Sequence, residues 1–106
     1  MTTFDKRDDA FEKRFAHDKE MMFKAIARRN KLVGLWAAAA LGKTGAEAEA
    51  YAQAVMMADF EKPGEDDVVE KIMADFAAAK LAVTEIELRR EMEHQLQVAK
   101  QQLAGE

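Results

Sequence analysis

The word LGKTG, Leu41 to Gly45, sets a lysine and a threonine behind a glycine, as in loops that cradle phosphates. Such a loop needs another glycine five residues before Gly42, and that position is Ala37. It also needs a strand ahead of it, and the pattern ahead is helical. The word therefore reads as the end of one helix and the cap of the next. Metal chemistry is no better supplied. His17 and His94 stand alone in their segments, and GEDD, Gly64 to Asp67, lacks the ligand spacing of a calcium loop. Cysteine and serine are absent from the chain, so disulfides, thiolate nucleophiles and cysteine metal sites are excluded. Thr44 and Thr84 are accounted for as helix caps. No nucleophile, base and orienting group come together, and the chain is expected not to be an enzyme.

Recognition chemistry is better represented. In FDKRDDAFEKRF, residues 4–15, three rings, Phe4, Phe11 and Phe15, sit among residues that are nearly all charged. On a helix, Phe4, Phe11, Phe15, Met22, Ile26 and Val33 fall within roughly 60° of arc. Phe4, Phe15 and Ile26 repeat at eleven residues, as do Phe11, Met22 and Val33, a period close to that of a straight helix. Before Met21 this stripe is the whole apolar face. After it, Met21, Phe23, Leu32, Leu35 and Trp36 add a second flank. A helix that packs in a globule needs an apolar face about 100° wide. Residues 21–41 thus read as a core helix, and residues 3–19 as a helix short of surface to bury.

The elements that position these residues are all helical. A chain of 106 residues makes one domain at most. Apolar content of 49% and charged content of 34% fit a helix-rich protein, and apolar residues recur at three and four rather than two. The first helix lies within 3–41, ended by Gly42 in the left-handed position. Thr44 with Glu47 is a capping box that opens a second helix at about 45–60, rich in alanines that permit close approach. Pro63 and Gly64 break the chain, and Glu65, Asp66 and Asp67 suit the positive end of a third helix over about 65–79. Val68, Val69, Ile72, Phe76 and Ala79 mark its buried side. Thr84 and Glu87 make a second capping box, with Val83 stapled onto Leu88, and open a fourth helix to about Leu103. Leu88, Met92, Leu96, Ala99 and Leu103 share its inner face. The fold class is all-α: a four-helix bundle with a mobile or extended N-terminal helical segment. The expected division is residues 1–19 as that segment, mobile when free, and residues 20–106 as the bundle.

Charge separates the parts. Residues 1–31 carry nine Lys/Arg and six Asp/Glu, a net +3, while residues 32–106 carry −7. Lys6, Arg7, Lys13, Arg14, Lys24, Arg28 and Lys31 gather on one side of the first helix, with Asp5, Asp9, Glu12 and Glu20 on another. A nucleic-acid domain is basic overall and a membrane-surface helix lacks interleaved acids, so neither partner is expected. The longest apolar run, LVGLWAAAALG, is too short to span a bilayer, and the first residues lack the apolar stretch of a secretory signal. Two fates of the stripe remain. Residues 4–15 either extend the first helix and pack on the bundle, or fold as an amphipathic helix in a partner's groove, oriented by their charged flanks.

The words FDKRDDAFEKRFAHDKE, ARRNKLVGLWAA, LGKTGAEAEAYA and ADFEKPGEDDV together resemble one family, the zeta subunit of alphaproteobacterial F-type ATP synthase, an ATPase inhibitor. The resemblance covers the whole chain, most specifically its first sixty residues. It implies a four-helix bundle preceded by an inhibitory segment that enters the catalytic head at an α/β interface near the γ shaft. There the segment becomes helical and blocks rotation in the hydrolysis direction. Carried over position by position, the inhibitory, partner-binding residues are Phe4, Asp5, Arg7, Phe11, Glu12, Arg14 and Phe15. The chain departs from the family pattern at Asp8 and Lys19, where glutamate and an acid are common. The implied partners are the α, β and γ subunits of the head, with no nucleic acid and no direct membrane insertion. The implied location is cytoplasmic, at the periphery of the membrane-bound ATP synthase, and the free protein is expected to be monomeric. No cofactor is required, and weak ATP or ADP binding is the family's reported property. The alternative is a small helical module that senses adenine nucleotides or binds a protein without inhibiting an ATPase.

Overall fold

A computed structural model describes residues 2–61 and 64–106, with side chains described over 17–59 and 64–106. Among the described residues there are four helices and no strand: α1 (Thr2–Ala40), α2 (Gly45–Glu61), α3 (Glu65–Ala78) and α4 (Glu85–Ala104). All four lie within about two residues of their expected spans. α1 is one continuous helix, so the N-terminal segment is an extension of the bundle's first member. The expected mobility of residues 1–19 in the free protein falls, up to residue 16, outside the residues whose side chains are described.

α1 is the spine. It packs most extensively on α2 and next on α4, while α3 lies chiefly on α2. The core joins Val33 and Ala37 of α1, Val55 of α2, Val68, Ile72 and Phe76 of α3, and Leu88 and Met92 of α4. Trp36 meets Phe76 edge to face, ring centroids 6.0 Å apart. The alanine-rich α2 allows close approach as expected. A Cβ built on Gly34 would stand 2.8 Å from the Ala52 Cα and 3.3 Å from the Val55 Cβ, so this crossing has room only for hydrogen.

The turns follow their residue chemistry in part. Gly42, at φ 80°, closes α1: its N–H bonds the Ala39 carbonyl at 3.0 Å and the Lys43 N–H reaches Ala38 at 2.9 Å. That is the double bond of a Schellman cap. α3 ends the same way on a lysine. Lys80 takes φ 60°, and the Leu81 N–H bonds the Phe76 carbonyl at 2.9 Å. Thr84 caps α4, its hydroxyl accepting from the Glu87 N–H at 3.2 Å, and Val83 packs on the core that holds Leu88. The expected capping box at Thr44 is not formed. Its backbone carbonyl accepts from Glu47 at 3.2 Å, and Gly45 enters α2 at φ 54°, which diverts the first step from cap geometry.

Three burial expectations are corrected. Phe23 is 67% exposed and Met22 43% exposed, although both were assigned to the core face. Ala79 is exposed because it is the C-cap residue of α3 rather than part of its inner face.

Candidate protein-docking site along the first helix

The bundle grips α1 by its second half. Arg29 and Asn30 are buried, and both Nε and a terminal nitrogen of Arg29 donate to the Asn30 Oδ1, at 3.1 and 2.9 Å. Burial lowers the Arg29 pKa from its ordinary value, while Glu65, Asp59 and Glu93 pull the other way. Arg28 ties the same stretch to the end of the chain through Glu106 and, at 3.5 Å, Gln102. These contacts run antiparallel. Gly34 meets Ala52 and Val55, and Arg29 lies in the field of Asp59. Continued at one residue per residue, the pairing places Glu61, where α2 ends, opposite about residue 27 of α1. Phe23 stands roughly one turn beyond that end, which is why it is uncovered.

The α4 end closes the other side of this junction. Met21, Met22 and Ala25 with Leu103 line an apolar groove of about 250 Å³, rimmed by Asp18 and Lys100. From here α1 continues toward its N-terminus as the same helix. Phe4, Asp5, Arg7, Phe11, Glu12, Arg14 and Phe15 therefore share one helical backbone, and the phenylalanines are in register with Met22. Their side chains lie outside the described residues. Sequence reasoning missed the Arg29–Asn30 pair and the exposure of Phe23. The signal for Phe23 was available in the length of α2, which stops short of it.

A second cavity, about 460 Å³ and open, lies where α1 ends, lined by Lys43, Tyr51, Lys71 and Asp75 with Leu41 and Ala79. The Tyr51 hydroxyl donates to the Asp75 Oδ2 at 2.8 Å, and Lys71 bonds the same oxygen at 3.0 Å while lying over the Tyr51 ring. Burial and the hydrogen bond to Asp75 push the Tyr51 hydroxyl pKa well above its ordinary 10.0. For Asp75, partial burial acts upward, but hydrogen bonds from Tyr51 and Lys71 and the charges of Lys71 and Lys43 hold it below the usual value. These groups satisfy one another, so they form a polar fastening of α2 to α3 with no free base. Among the described residues no cluster could hold a metal ion, and no helix is long and apolar enough to cross a membrane. The acids opening α3 meet α4: Arg89 pairs with Asp66 at 3.0 Å and Glu65 at 3.8 Å.

The sequence model of the ATPase inhibitor subunit zeta family matches residues 1–102. The chain belongs to that family. A solution NMR structure is similar to it at 49% identity, covering 80% of this chain and 96% of that one, with a TM-score of 0.71. No curated protein matches. The all-helical bundle is the frame of a chain whose family is an ATPase inhibitor subunit, a regulatory role.

Proposed function

We propose that this protein blocks ATP hydrolysis by an F-type ATP synthase as a wedge. Residues 1–19 are the inhibitory segment and residues 20–106 the bundle that carries it. The segment enters the catalytic head as a helix at an α/β interface near the γ shaft, and Phe4, Asp5, Arg7, Phe11, Glu12, Arg14 and Phe15 make the contacts. No bond is made or broken by the inhibitor. It binds one conformation of a rotary machine better than the others, and its affinity difference shifts the population toward a locked state. The carrying observation is that α1 is one helix running from the core out past the bundle end, with its phenylalanines in register, in a chain of the zeta family. The helix that packs in the core thus carries the segment toward the partner. The test is ATP hydrolysis by the cognate enzyme, with and without added protein, coupled to a pull-down from membranes. Loss of hydrolysis and co-elution of the α, β and γ chains are expected; unchanged hydrolysis would sink the proposal.

A second role, weak binding of adenine nucleotides, is favoured by one feature. The cavity lined by Lys43, Tyr51 and Lys71 sets two cations beside an aromatic ring. Phosphates suit the lysines, Lys71 exchanging its bond to Asp75 for one to the phosphate, and affinity on the order of micromolar to millimolar is expected from so open a site. Amide shifts on ATP titration, lost in Lys43→Ala with Lys71→Ala, test it.

A further inference from the structure

We propose that the surface this protein offers to the ATPase head does not stop at residue 19 but continues over Met22 and Phe23, so that the end of the bundle is itself seated on the partner. This inference rests on the wedge reading given above. Met22 occupies the middle of the phenylalanine stripe, eleven residues after Phe11 and eleven before Val33. Along that stripe Val33 is fully buried and Ile26 is half-buried, whereas Met22 is 43% exposed. The bundle therefore ceases to cover the stripe at Met22, and the cover must come from elsewhere if the row of rings is buried on a partner. Phe23 adds a ring 67% exposed and about 100° further round the helix. Together the pair widens the open apolar arc to the breadth that packed helices show, where the stripe alone is too narrow. α1 is unbroken across this point, so a protein surface that grips residues 4–15 meets residues 22 and 23 in fixed phase about 10 Å further along the axis. The groove beside Met22, floored by Ala25 and Leu103, would receive an apolar side chain from that surface, with Asp18 and Lys100 at its rim to orient it.

The experiment uses the full chain and the cognate ATPase. Met22→Ser with Phe23→Ser is expected to weaken inhibition about 10-fold at an unchanged melting temperature, since both side chains are open to solvent. A photo-reactive side chain placed at position 23 is expected to cross-link to a chain of the head in the inhibited complex. Inhibition equal to the unsubstituted protein, with Phe11→Ala weakened in the same assay, would end the footprint before Met22 and overturn this proposal alone. An absent cross-link in a fully inhibited complex would do the same, whatever the double variant's stability. A dimer in sedimentation that dissolves in the double variant at unaltered inhibition would assign the patch to a second copy and overturn it too. If the unsubstituted protein fails to inhibit, the wedge reading falls first and this one with it.

Discussion

Lys80 holds φ 60° at the close of α3, a conformation that costs an L-residue roughly 1–2 kcal/mol and costs glycine nothing. Glycine loses more freedom on folding, which takes back part of the gain. Lys80→Gly is expected to stabilise the bundle by about 0.5–1 kcal/mol, seen as a melting temperature a few degrees higher. Tyr51 and Asp75 make a second residue-scale case. The carboxyl of Asp75 sits below its ordinary value of 3.8, so its contribution to stability is full above that pH and fades as pH falls through the lower folded value. Tyr51→Phe removes one of the bonds responsible. The variant should be less stable than the unsubstituted protein at pH 7, and the gap should narrow below about pH 4. Urea titrations of both proteins at the two pH values check the sign; a gap that widens in acid would contradict it.

The helices place demands of their own. Gly34 lets α1 and α2 meet, and a methyl there would strike the Ala52 backbone, which cannot swing aside as a side chain would. Gly34→Ala is expected to destabilise by about 1–2 kcal/mol, an overpacking cost of roughly 1–3 kcal/mol partly offset by better helix propensity. Urea unfolding would show it as an earlier midpoint. On the proposed wedge reading, the rings in the N-terminal half of α1 serve the partner rather than the bundle. Phe11→Ala and Phe15→Ala are expected to weaken inhibition roughly 10- to 150-fold, as loss of a buried anchor of about 1.5–3 kcal/mol implies. Phe4, near a fraying end, should matter less. Melting of all three variants should stay put. If they melt early and still inhibit, the stripe packs on the bundle and the wedge assignment is wrong.

For the molecule as a whole, the described core draws on α1 only from Ala25 onward. Deleting residues 1–19 is therefore expected to leave the melting temperature within a degree or two while abolishing inhibition of ATP hydrolysis. A truncated chain that fails to fold would show that the bundle needs its leading segment. The protein also extends 65 Å along one axis against 25 and 22 Å across, in keeping with a long first helix as its spine. That shape suits a part that reaches into another assembly.

Periodicity and punctuation were enough to place the four helices, because apolar spacing, Gly42, Thr84 and the acids of Glu65 to Asp67 act within a few residues of themselves. Family membership was legible in words such as FDKRDDAFEKRF and LGKTGAEAEAYA. Burial was not local in that way. Phe23 has the phase of a core residue and is exposed because α2 ends before reaching it. Arg29 looks like a surface cation and is buried because α1 is enclosed there and Asn30 takes its N–H groups. The Thr44 box reads well and is not formed, since Gly45 enters α2 at φ 54°. Each of these turns on where another element stops or how closely it approaches, and such distances are set by tertiary packing rather than by the spacing of residues along the chain.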